Sequence, residues 1–147
     1  MTDDRVELTR TFASPPMLVW RCFTEAELLG KWFAPGSLRP EVLAFEPRLG
    51  GAWRVRMTGQ DRGDHVAFGT FEALEPTERL VFTWAWESGS VRSSRVTVTL
   101  HDEDGATHLT LVHAGLPSPS AVADHAEGWE GCLDKLEPLL QKLTFAR

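Results

Sequence analysis

The stretch Val96-Thr97-Val98-Thr99-Leu100-His101-Asp102-Glu103-Asp104-Gly105-Ala106-Thr107-His108-Leu109-Thr110-Leu111-Val112-His113 decides the fold of this 147-residue chain, together with the helix that follows it. Asp104-Gly105 between two alternating runs is a type I′ hairpin signal. A two-residue turn there sets Leu100 opposite Leu109, Val98 opposite Leu111 and Val96 opposite His113, all on one face. It sets His101 opposite His108 on the other face. After Pro117 the period changes from two to about 3.6. Ser118 is an N-cap, Pro119 fits the first turn, and an apolar stripe runs through Val122, Ala126, Trp129, Leu133, Leu136, Leu140 and Leu143. Gly128, Gly131 and Pro138 interrupt good helix formers, so a close approach, a space or a kink is expected beside them.

Upstream, Val6 to Phe12 alternates as a first strand, with Arg10 on its apolar face. Ser14 and Pro15 read as the start of a short helix carrying Leu18, Val19, Cys22 and Phe23. Thr24 reads as the cap of a second short helix, Glu25 to Lys31, before the Pro35-Gly36 loop. From residue 39 to 114 the pattern is β. Val42 to Glu46 forms one strand, and Trp53, Val55 and Met57 alternate with Arg54 and Arg56 in the next. A turn at Asp61-Arg62-Gly63-Asp64 leads into His65 to Leu74, with Gly69 as a bulge. After Pro76, the residues Leu80, Phe82, Trp84 and Trp86 share one face. The order is one strand, two short helices, six strands and one long helix. An α+β fold follows, in which a curved antiparallel sheet of six to seven strands wraps a long C-terminal helix.

Composition bounds the function. The length suits a single domain over residues 1–147. A net charge of −6 and a pI near 5.3, without any basic run, exclude nucleic acid as the expected partner. No apolar run reaches the ~20 residues of a membrane span, so no membrane insertion is expected. The N-terminus has no secretory pattern, and Cys22 and Cys132 each sit inside an apolar helical pattern as buried thiols. Together these place the chain in the cytoplasm. Six Trp and eight Phe with no Tyr either fill a thick core or line a cavity.

Several stretches carry a resemblance: Ala13-Ser14-Pro15, Val19-Trp20 and Phe23-Thr24, then Leu28-Leu29-Gly30-Lys31-Trp32-Phe33, Gly50-Gly51-Ala52-Trp53 and Glu75-Pro76 with Leu80-Val81-Phe82-Thr83-Trp84. Val96-Thr97-Val98, Leu109-Thr110-Leu111-Val112-His113 and Gly128-Trp129 complete the set. In this order, across nearly the whole chain, they resemble the START-like (SRPBCC, helix-grip) superfamily. The branch is the one named for the C-terminal domain of activators of the 90-kDa heat-shock protein ATPase. The resemblance implies a helix-grip fold and a cavity for a small hydrophobic molecule, lipid-like or flat and polycyclic. It also brings a polyketide-cyclase-like or hydrolase-like enzyme, and a chaperone ATPase-activating module acting in the stress response, as alternatives. The eukaryotic activators carry a separate N-terminal domain for which 147 residues leave no room, which counts against a chaperone partner.

The residues expected around such a cavity are Phe33, Trp53, Met57, Phe71, Trp84, His113, His125, Trp129 and Leu133. Taken singly, each reads first as core packing; taken together, with Gly128 and Gly131 on the covering helix, they suit a pocket. His113 is either a core histidine satisfied by its neighbours, or a ligand anchor or general base. Arg10 either reaches for a ligand carboxylate or snorkels to water. The His101–His108 pair beside Asp102, Glu103 and Asp104 lies on a solvent face without a supporting shell, so no metal site is read there. No metal, phosphate-loop or nucleophile-elbow motif is present, and no cofactor is expected. A homodimer is compatible with a first strand at a sheet edge.

Overall fold

A computed structural model describes residues 5–59 and 63–145. The strands and helices run β1 (Val6–Phe12), α1 (Pro16–Thr24), α2 (Ala26–Leu29), β2 (Arg39–Phe45), β3 (Ala52–Gly59), β4 (Gly63–Glu75), β5 (Arg79–Trp86), β6 (Ser94–Glu103), β7 (Ala106–Ala114) and α3 (Pro119–Phe145). All seven strands join one antiparallel sheet in the order β1-β7-β6-β5-β4-β3-β2. The segment through α1 and α2 carries the chain from one sheet edge, β1, to the other, β2. The sheet curves around α3, giving the α+β helix-grip architecture expected from the sequence.

The β6–β7 hairpin has the expected register: Val96 pairs with His113, Val98 with Leu111, Leu100 with Leu109 and His101 with His108. Asp104 and Gly105 take φ of 56° and 92°, the two positive values that a type I′ turn needs. Alternation decides β3 as well. Trp53, Val55 and Met57 are buried, while Arg54 and Arg56 face out and pair with Glu87 and Glu41.

Several local expectations change, the second short helix among them, which spans Ala26–Leu29 rather than Glu25 to Lys31. Ser14 does not cap α1: Pro16 forces Pro15 into extended backbone (ψ 154°), so the helix begins one residue later. Ser14 is buried instead, and its carbonyl accepts the Thr107 hydroxyl at 2.7 Å. Thr24 does not cap α2; its hydroxyl donates back to the Trp20 carbonyl at 2.8 Å and closes α1. β2 starts at Arg39 rather than Val42, because Pro40 is tolerated on an edge strand that needs no N–H there. The bulge in β4 falls between Phe71 and Ala73, not at Gly69. Gly69 instead permits a close backbone approach, since a Cβ there would lie 1.9 Å from the Thr83 carbonyl, which accepts the Trp53 indole N–H at 3.1 Å. Of the expected β3–β4 turn, Asp61 and Arg62 lie outside the described residues; Gly63 and Asp64 already belong to β4.

Ser118 caps α3 as expected, its hydroxyl accepting the Ala121 N–H at 3.1 Å. Trp129, Leu133, Leu136 and Leu140 form the buried stripe, each contributing about 1.5–3 kcal/mol of transfer free energy. The helix backbone runs closest to β1 and α1 and lies farther from the strands β2 to β7. Side chains span that gap, and there the space beneath the helix opens.

Candidate functional site: an aromatic cavity under the long helix

The gap between α3 and the far half of the sheet holds a cavity of about 630 Å³. Its inner wall is apolar and buried: Phe33, Met57, Trp84, Trp129 and Cys132. Its mouth is exposed and polar, with Asp64 and His65 from β4, Glu87 and Ser88 after β5, and Asp124 from α3. Trp86 and His125 stand between the two. The rings are held edge to face and tilted, with Trp84 at their centre: Phe33, Trp86 and Trp129 lie 5.8, 5.3 and 5.3 Å from it. Such pairs fix ring orientation beyond what area burial alone would do.

Loop 34–38 completes the wall. Lys135 on α3 donates to the carbonyls of Ala34 (2.6 Å) and Leu38 (2.9 Å), and its partial burial lowers its pKa. Gly131 lets the helix approach that loop; a Cβ there would lie 3.1 Å from the Gly36 nitrogen. Small residues on α3 therefore serve the loop rather than the sheet.

The hydrogen bonds behind the wall run in one direction. Trp129 Nε1–H donates to His113 Nδ1 at 3.0 Å. An indole N–H can only donate, so Nδ1 is the accepting nitrogen and Nε2 carries the proton. His113 Nε2–H then donates to Ser94 Oγ at 2.8 Å, and the Ser94 hydroxyl donates to the Trp84 carbonyl at 2.7 Å. Burial, with His125 nearby, pushes the His113 pKa down to about 3. His125 is set in the same manner: Nε2 accepts the Trp86 indole at 2.9 Å and Nδ1–H donates to the Ala121 carbonyl at 2.7 Å. One donor lacks a partner. Trp84 Nε1 is the buried side-chain polar atom without a hydrogen bond among the described residues.

Known proteins share the fold, and a family model matches most of the sequence. The sequence profile of the family described as Activator of Hsp90 ATPase homolog 1-like protein matches residues 13–141. The chain belongs to that family. Among solved structures, a protein from Chromobacterium violaceum superposes with a TM-score of 0.87 at 27% identity, covering 93% of this chain and 96% of that one. The AHSA1 protein from Silicibacter pomeroyi gives 0.83 at 25% identity, with 93% and 97% covered. Among curated relatives, activator of 90 kDa heat shock protein ATPase homolog 1 from Homo sapiens is 27% identical over 130 residues, 86% of this chain. That match takes in 33% of the human protein, so the chain spans about a third of its relative's length.

Within this family member the nine residues expected at the cavity divide. Phe33, Met57, Trp84, His125 and Trp129 line it. Trp53 and Phe71 instead border a narrow void of about 10 Å³ deeper in the core, too small for a ligand. Leu133 is fully buried beneath the helix, and His113 is sealed behind Trp129 and Trp84 with both nitrogens engaged. His113 therefore takes the reading of a satisfied core histidine, without access to the cavity as a general base. Arg10 does not reach the cavity; it pairs with Asp134 of α3 at 3.0 Å. Sequence reasoning missed Trp86 as a lining residue, although its shared face with Trp84 was the available signal. Ser94 was also missed; it lies two positions before Val96 on the inward face of β6. Cys22 and Cys132 are buried free thiols, both pushed up to about 12 by burial. His101 is exposed, and His108 Nδ1 meets the Thr11 hydroxyl at 3.1 Å.

Proposed function

We propose that this single domain binds a small hydrophobic molecule in the cavity between α3 and the sheet. One observation carries the reading: an aromatic-walled space of about 630 Å³, within the ~300–1,000 Å³ range of small-molecule sites, opens between α3 and strands β3–β5. Close-packed interiors do not leave such a volume beside four aromatic rings without an occupant or solvent.

The other two readings have less support. An enzyme acting through His113 lacks access to the cavity, because Trp129 and Trp84 seal that ring away. A chaperone-activating module would want an exposed apolar patch; among the described residues the exposed large apolar side chains are Met17 on α1, Leu49 in the β2–β3 turn and Phe68 on β4. The outward sheet face carries ion pairs such as Arg95–Glu72 and Arg79–Glu75. Two buried, unpaired thiols suit a cytoplasmic setting.

The test is a thermal-shift screen against fatty acids, sterols, flavonoids and polycyclic amines. A binder at a hundred times its Kd adds about 2.7 kcal/mol, or roughly 5–10 °C here. Gly128→Leu, which fills the space from α3 where a Cβ meets only Pro35 at 3.9 Å, should abolish the shift while the domain stays folded. A shift that survives this variant places binding elsewhere and overturns the reading.

A further inference from the structure

The charge at the cavity mouth bears on the ligand's polar end. Among the described residues, the lining contains the carboxylates of Asp64, Glu87 and Asp124 and no lysine or arginine. Two of these are already matched on the outer side: Glu87 by Arg54, and Asp64 by Arg56 at 3.9 Å. Asp124 makes no hydrogen bond or ion pair with any described residue. The cations nearest in kind to an anionic ligand's needs are committed elsewhere. Arg10 is held by Asp134 and the Glu130 carbonyl, and Lys135 by the carbonyls of loop 34–38.

A carboxylate-headed ligand such as a fatty acid would therefore enter past the unmatched Asp124 and, among the described lining residues, meet no lysine or arginine. A cation is favoured there, because Asp124 offers an unmatched carboxylate at the mouth, while Trp84, Trp86 and Trp129 supply aromatic surface for a flat ring further in. The chain's net charge of −6 steers in the same sense.

We propose that the ligand is a cationic aromatic amphiphile: a flat ring system among Trp84, Trp86 and Trp129, bearing an amine that sits at the mouth beside Asp124. This rests on the cavity being the binding site, and it goes further by assigning the sign of the ligand's charge and the side chain that reads it.

The experiment uses three matched probes, a naphthalene with a two-carbon arm ending in an ammonium, a hydroxyl or a carboxylate. Each is titrated calorimetrically into the full chain at low and at high salt. The ammonium probe should bind tightest and the carboxylate probe weakest. One close opposite-charge pair is worth roughly fivefold in water, so the two ends should differ by about tenfold or more at low salt. High salt should compress the series. In Asp124→Asn, an exposed change that leaves the fold intact, the ratio of ammonium to hydroxyl affinity should fall toward one. Equal binding of all three, or tighter binding of the carboxylate, overturns the charge assignment while leaving the cavity reading in place. An ammonium preference unchanged in Asp124→Asn overturns the role of that residue. Failure of all three probes to bind overturns both this proposal and the cavity reading.

Discussion

Trp129 donates its indole N–H to Nδ1 of His113 across 3.0 Å, and that bond fixes which nitrogen of the ring holds the proton. The chain Trp129–His113–Ser94–Trp84 then joins α3 to β7, β6 and β5 through donors that all point the same way. It lies behind the cavity wall, where it ties Trp129 and Trp84, two of the lining rings, to the sheet.

Removing a link should cost according to what it leaves unpaired. Trp129→Phe keeps most of the ring but leaves His113 Nδ1 buried without a donor, an expected loss of about 1–3 kcal/mol. Ser94→Ala leaves the His113 Nε2–H buried without an acceptor, while the Trp84 carbonyl keeps its place in the β5–β6 ladder, so it should cost about as much as Trp129→Phe. Urea denaturation at pH 7 reads both. A Ser94→Ala variant as stable as the parent would show that the relay contributes nothing to stability.

The same burial gives a pH dependence with a definite sign. Folded His113 takes up its proton only near pH 3, whereas in the unfolded chain it does so near 6.5. Between those values the unfolded state binds the extra proton, so stability falls as pH drops from about 6.5 toward 3. The slope reaches at most about 1.4 kcal/mol per pH unit. Glu72 and Glu75, held below their usual range by Arg95 and Arg79, add loss in the same direction only below about pH 4.5. Midpoints measured between pH 7 and pH 5 therefore isolate the histidine. His113→Gln should flatten the curve in that interval; an identical slope would place its origin in another group.

How far the sequence could be read follows from which interactions are local. The β6–β7 register was legible because Asp104-Gly105 admits one turn type, and the apolar pairs on either side agree with it. The stripe on α3 was legible from period alone. The residues expected around the cavity were all inward, but direction does not tell depth. Trp53 and Met57 lie on the same face of β3, yet one borders the small void in the core and the other the open cavity. That division depends on how α3 and loop 34–38 pack over the sheet, a long-range property with no periodic signature. The bulge at Phe71–Ala73 escaped for a related reason: Gly69 marked a close backbone approach, and composition cannot separate that from a bulge.

The two thiols should be inert while the domain is folded. Burial pushes both Cys22 and Cys132 up to about 12, so almost no thiolate exists at neutral pH. A chromogenic disulfide reagent should label neither in the native protein and both in denaturant. Rapid native labelling of Cys132, which touches the cavity, would instead show that the reagent enters that space and finds a lower pKa there.

Two nearby glycines on one helix, Gly128 and Gly131, should respond oppositely to alanine. In a helix interior, Gly→Ala gains about 0.8–1.0 kcal/mol from propensity where space allows. At Gly128 a new methyl would meet only Pro35 at 3.9 Å, ordinary contact, so Gly128→Ala should be stabilising by nearly that amount. At Gly131 the methyl would sit 3.1 Å from the Gly36 nitrogen and 3.3 Å from Pro35 Cα, both backbone atoms of the loop that Lys135 holds down. Backbone cannot swing aside as a long side chain can, so the loop must shift and its hydrogen bonds to Lys135 must lengthen. Gly131→Ala should therefore lose stability, and it should widen the cavity mouth as Pro35 and Leu38 move out. Thermal denaturation of the two variants side by side checks the sign. Equal stabilisation of both would mean that loop 34–38 yields freely, and that its carbonyl bonds to Lys135 do not define the cavity wall.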